Sequence, residues 1–233
     1  MSSLKAGGGV SDYKNIPRQA HFEPYSDNGG SIVAVAGDDF AIIAADSRLT
    51  VGYSIYTRKQ SKLFRLSNKT VLASTGCWCD TLTLTNLLEA RFQMYLHEHN
   101  KQMETPAIAQ LLSTVMYYKR FFPYYVSNVL AGVDAEGKGC VYAYDPIGHM
   151  EKHPYRAGGS SAAFLQPLLD NQLEFKNMDK ADKIPLTLER ALALMKDIFI
   201  SAAERNIYTG DGVNFNIITK DGVQEEFFIL RKD

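Results

Sequence analysis

The sequence predicts an α+β protein built of two antiparallel sheets covered by layers of helix. Short apolar runs occur in pairs separated by tight polar turns, a spacing that allows only antiparallel hairpins. Longer stretches with apolar residues at helical spacing come two at a time. The order is strands, two helices, strands, two helices, strands, not the strict alternation of a parallel doubly wound sheet. No internal repeat and no interdomain linker interrupts it.

The first pair of runs covers 31–36 and 40–45 around Gly37-Asp38-Asp39; apart from Ser31 both are apolar, as strands buried on two faces are. Residues 49–52 read as a turn and 53–57 as a short strand. A second hairpin joins 62–66 to 70–74 through Ser67-Asn68-Lys69, and Gly76 closes the block. From 80 to 100 the period changes, and Leu82, Leu84, Leu87, Leu88, Phe92 and Tyr95 make an apolar stripe. Thr105-Pro106 announces a second helix, a cap followed by proline at the first helical position, and Phe122-Pro123 ends it. Residues 126–133 and 140–144 form a third hairpin, with 149–157 as a further strand. Gly158-Gly159-Ser160-Ser161 then breaks into a third helix over 161–169. Thr187 caps a fourth, which places Leu188, Ala191, Leu192, Met195, Ile198, Phe199 and Ala202 on one face. The final runs, 213–219 and 223–230, flank Lys220-Asp221-Gly222.

With 233 residues, 45% hydrophobic and 22% charged, the chain suits one large domain that needs no covalent staples. Residues 1–26 read as a flexible tail or propeptide without the apolar core of a secretory signal, and 27–233 as the domain. A net charge of -1 provides no field for nucleic acid, and no apolar run approaches the roughly 18 residues of a membrane span. Three cysteines are too few for a disulfide framework and suggest a reducing compartment.

Where the first buried strand begins, Gly29-Gly30 leaves the backbone open to close approach, and the second strand ends in Asp46-Ser47-Arg48. This pattern resembles the beta-type subunits of the eukaryotic 20S proteasome, whose active members are threonine proteases of the N-terminal-nucleophile class. The resemblance covers about residues 20–233 and implies a four-layer alpha-beta-beta-alpha sandwich of two antiparallel sheets. Such a protease needs a terminal hydroxyl, a base for its proton, a buried cation and an amide for the oxyanion. Aligned on the family without gaps, the nucleophile position is Gly30, the buried aspartate Asp46, the lysine Lys62 and the oxyanion glycine Gly76. Further on, Arg205-Asn206-Ile207-Tyr208-Thr209-Gly210 stands where active members carry Arg-Asp-x-x-Ser-Gly, so Asn206 replaces an acid and Thr209 a serine. Gly159-Ser160-Ser161 stands where they carry Ser-Gly-Ser.

The resemblance therefore implies a protease's fold without its nucleophile: a non-catalytic structural subunit that walls the proteolytic chamber. Residues 119–126, 145–148, 168–172 and 199–205 are similar to a non-catalytic member of the family. Implied partners are beta subunits of the same ring and of the opposite ring, alpha-ring subunits and assembly chaperones. Neither cofactor nor metal is implied, and the implied location is cytoplasm and nucleus. On this reading Asp46 and Lys62 persist as a buried ion pair. The rival reading is an active hydrolase using Ser31, which needs cleavage after Gly30 and a one-residue strand shift that turns every side chain to the other sheet face. An unrelated amidase of the same fold is the third.

Other signals are weaker. His97-x-His99 and Cys77-x-Cys79 lack the spacing of a zinc module; the histidines suit a helix C-terminus, and the cysteines read as small buried hydrophobes. Lys119-Arg120 among Phe121, Phe122, Tyr124 and Tyr125 carries too few cations for a phosphate field and fits a subunit contact.

Overall fold

The computed structural model describes residues 22–179 and 184–232. Most of the segment read as a tail, residues 1–21, lies outside that range. Within it, Tyr25 stacks on Phe122 at 5.7 Å and donates its hydroxyl to the Pro123 carbonyl at 2.7 Å.

Two five-stranded antiparallel sheets form the centre. The first contains β1 (Ser31–Ala36), β2 (Phe40–Asp46), β10 (Tyr155–Gly159), β11 (Gly212–Thr219) and β12 (Gly222–Ile229), in the order β10-β1-β2-β11-β12. The second runs β5 (Leu63–Ser67), β6 (Thr70–Gly76), β7 (Val126–Val133), β8 (Gly139–Tyr144) and β9 (Met150–His153) in sequence order. A small hairpin, β3 (Leu49–Val51) with β4 (Ser54–Thr57), stands apart.

Strand alternation builds three layers of core. Ile32 and Ala34 of β1, Ile43 of β2 and Val71 and Ala73 of β6 meet between the sheets. Val33, Val35, Ile42 and Ala44 point the other way, onto α3 (Ala162–Leu173) and α4 (Leu188–Arg205), where Leu165, Met195 and Phe199 receive them. Leu72 and Leu130 face outward from the second sheet onto Leu84 and Leu88 of α1 (Trp78–His99) and Ile108 and Leu112 of α2 (Thr105–Tyr118). A sheet with both faces covered must be apolar at every position, which is why the opening runs show no alternation. The arrangement is helix, sheet, sheet, helix, as expected.

Four local expectations change. Residues 49–52 are not only a turn, because Leu49–Val51 pairs with Ser54–Thr57 around Gly52. The single strand expected over 149–157 is two strands in different sheets: β9 pairs with β8, and β10 pairs with β1. Pro154 lies between them; it has no N–H to give either ladder, and its carbonyl accepts Ala36 N at 2.7 Å. Thr105 is the first residue of α2 rather than its cap, and Glu104 holds the cap position. The Thr105 hydroxyl instead meets Thr70 Oγ1 at 2.7 Å and Val133 O at 2.9 Å, fastening the helix to the sheet. Helix α3 continues through Leu173, past the expected stop at 169. Thr187 does cap α4, its side chain accepting Arg190 N at 3.3 Å.

Candidate functional site

The start of β1, the end of β2, the entry to β5 and the loop after α4 converge at one end of the sandwich. Lys62, immediately before β5, is fully buried there. Its ammonium donates to Asp46 Oδ1 at 2.8 Å, to the Asp46 carbonyl at 3.0 Å and to the Arg48 carbonyl. An ammonium has three protons, and here all three find oxygens. Asp46 is equally enclosed and also accepts Ser31 N at 2.8 Å and Arg48 N at 3.2 Å. Burial pushes the Asp46 carboxyl up and the Lys62 ammonium down, each opposed by the bond between them. The donor count on each fits the ionised pair.

Gly30 sits directly over Lys62. A Cβ there would lie 2.5 Å from Lys62 Cε and 2.8 Å from Nζ, closer than such atoms pack. Its φ of +97° is a conformation that β-branched residues avoid. Lysine methylenes thus occupy the space a side chain at position 30 would need.

A second network holds the carbonyl side of Gly30. Ser160 N and Ser160 Oγ donate to Gly30 O at 2.8 and 3.1 Å. Asn206, just past the end of α4, points its amide nitrogen at Ser160 Oγ, Ser161 Oγ and Thr209 Oγ1, while its oxygen accepts Tyr208 N at 3.0 Å. Thr209 Oγ1 lies 2.6 Å from Ser31 Oγ and 3.0 Å from Ser161 Oγ. The Ser31 hydroxyl is therefore engaged with Thr209, and none of the bonds of Lys62 goes to it. Gly76 completes the cluster: its carbonyl accepts Asn28 N at 2.9 Å, and Asn28 Oδ1 takes Trp78 N at 2.8 Å at the start of α1. The structure thus brings Gly30, Asp46, Lys62, Gly76, Asn206 and Thr209 to one end of the fold.

Sequence reasoning missed Asp211. Its φ of +67° turns it inward, where Arg48 Nε donates at 2.8 Å and Arg58 Nη1 reaches the other oxygen. The only sequence signal was an acid between Gly210 and Gly212. Burial raises this carboxyl, but hydrogen bonds and charge from Arg48 and Arg58 outweigh it and hold it below the usual carboxylate range. Its folded value is below its unfolded one, so its stabilisation is complete above about pH 4 and is lost as pH falls through the depressed value. Asp211→Asn is expected to lower the melting temperature at pH 7 and to flatten its decline below about pH 4. Melting curves across pH check this.

The cysteines divide. Cys77 is buried as expected, whereas Cys79 is exposed, one residue into α1 and on its solvent side. Burial pushes the Cys140 thiol up to about 11, the opposite of an activated nucleophile. Among the described residues no group of three or more His, Cys, Asp or Glu side chains is placed to hold a metal ion. His97 and His99 lie in the last turn of α1.

Two sheets between paired helices, with a lysine–aspartate pair beneath the start of the first strand, define the sandwich of the N-terminal-nucleophile hydrolases. Comparison with known proteins narrows this. The family model described as proteasome subunit matches residues 26–218. A Drosophila melanogaster protein named proteasome subunit beta type-1 is 61% identical, covering 95% of this chain and 96% of its own length. Proteins named proteasome subunit beta type-1-B from Carassius auratus and beta type-1 from Danio rerio are 52% and 53% identical, over 98% and 93% of this chain and 97% and 92% of their own lengths. The chain belongs to the proteasome subunit family.

Proposed function

We propose that this chain is a non-catalytic subunit of the proteasome's beta ring, walling the proteolytic chamber while neighbouring subunits cut. The observation that carries the reading is position 30. A glycine there offers no hydroxyl, and the space such a hydroxyl would need is filled by Lys62. The lysine's three protons are committed to Asp46 and two carbonyls, so it has neither a nucleophile to activate nor a free lone pair to do it with. Asn206, an amide whose nitrogen faces three hydroxyls with two protons to give, replaces the acid of active members.

The relatives named beta type-1 support the beta ring as its place. On this reading its neighbours are beta subunits of both rings and subunits of the alpha ring, with assembly chaperones acting before the ring closes, in cytoplasm and nucleus. Tyr118 and Phe121 at the end of α2 are 86% and 98% exposed, and Tyr117 and Phe122 beside them are also exposed, an aromatic surface that suits a chain buried among others. Native mass spectrometry of the purified protein tests the assignment. The expected result is a multi-subunit ring particle containing this chain; a stable, soluble monomer is the result that refutes it.

A further inference from the structure

One opening has features that the degenerate centre does not absorb. A cavity of about 390 Å³ penetrates between the two sheets at the same end of the sandwich, bordered by Gly29 and Gly76. Openings of this size hold small organic ligands. Its inner wall is apolar, with Val129 and Ala143 both buried, and two hydroxyls border it, those of Thr75 and Ser127. Ser127 Oγ accepts Gly159 N at 3.3 Å. Thr75 Oγ1 has no hydrogen-bond partner among the described residues, although Thr75 is 2% exposed. A buried hydroxyl left unpaired carries a desolvation cost that strands do not ordinarily retain.

The opposite wall carries no side chain over either hydroxyl. It is the dipeptide Gly158-Gly159 of β10. A Cβ on Gly158 would come within 2.9 Å of Ile32 Cγ1 and 3.1 Å of Ser127 Oγ, and one on Gly159 within 2.2 Å of the Gly30 carbonyl oxygen and 3.0 Å of Thr75 Oγ1. Any pair of larger residues would close the space over them. Charged side chains, Asp27 and Arg156, occur only at the exposed rim, so the interior provides no counter-charge for an ionised ligand.

We propose that this inter-sheet cavity is a binding site for a small uncharged molecule with an apolar body and one hydroxyl or carboxamide head, the head pairing with Thr75 Oγ1. The site is independent of the Lys62–Asp46 pair and needs no catalysis. Its occupant lies against residues 27–29, the segment entering β1.

Benzyl alcohol and benzamide are suitable probes, with toluene as the headless control. They are titrated against the full chain in the complex with which it purifies and located by density maps at saturating probe. The expected density places the head at Thr75. Thr75→Val, which keeps the shape of the side chain, is expected to weaken benzyl alcohol about tenfold, the worth of one net hydrogen bond, while leaving toluene unchanged. Without probe the same variant is expected to melt no lower than the native chain, since it removes an unpaired group. The proposal is overturned by density showing only water at Thr75, by equal benzyl alcohol affinity in Thr75→Val, or by a clear loss of stability in that variant.

Discussion

Lys62→Met is expected to destabilise the chain by about 3–5 kcal/mol, the usual penalty for removing one member of a buried ion pair. The substitution keeps roughly the length and bulk of the side chain, so little of the loss comes from packing. It comes from what is left behind. Asp46, fully buried, would keep only the amides of Ser31 and Arg48, and its own carbonyl and that of Arg48 would each lose a donor. Thermal melting and the yield of chain recovered in its complex both read the effect. Adding Asp46→Asn to the same chain is expected to restore part of the loss, because the uncompensated carboxylate is then gone. A loss below about 1 kcal/mol for Lys62→Met would mean that the pair is not the anchor between β2 and β5.

Gly30→Thr, the change that writes the family's nucleophile back into the sequence, is expected to produce instability instead of a protease. A β-branched residue at φ +97° is strained by about 1–3 kcal/mol before any contact is counted. Its Cβ would then collide with Lys62 Cε at 2.5 Å, and moving the lysine aside would break the bonds whose loss was just considered. Even a tolerated hydroxyl would meet a lysine whose protons are already given to Asp46 and two carbonyls. The expected outcome is a lowered melting temperature and no adduct with an electrophile that captures terminal threonines. An adduct at position 30 would show that one missing oxygen was the whole deficit.

The architecture was legible because burial leaves a mark on sequence. Ser31–Ala36 and Phe40–Asp46 are covered on both faces and so are apolar apart from Ser31 and Asp46 at their site ends; the capped, amphipathic α4 declared itself through Thr187 and the spacing from Ala191 to Ala202. What escaped were events without periodicity. The passage from one sheet to the other at Pro154 spends a single residue and changes no pattern, so 149–157 looked like one strand. The three-residue β3 is too short to show alternation. Of the site, only the identities of the residues could be read, and those through resemblance, since a separation of sixteen residues between Asp46 and Lys62 has no periodic meaning. That Lys62 fills the space over Gly30, that Thr209, itself bonded by Asn206, holds the Ser31 hydroxyl, and that Asp211 pairs with two arginines are consequences of tertiary packing alone.

Intact-mass spectrometry of the native chain, purified with its partners and treated with an electrophile that captures N-terminal nucleophiles, bears most directly on the claim that this fold carries no working centre. The expected spectrum shows unmodified chain with residue 30 still internal and Ser31 joined to it through a peptide bond. A chain beginning at Ser31 and carrying the mass of one bound electrophile would contradict it.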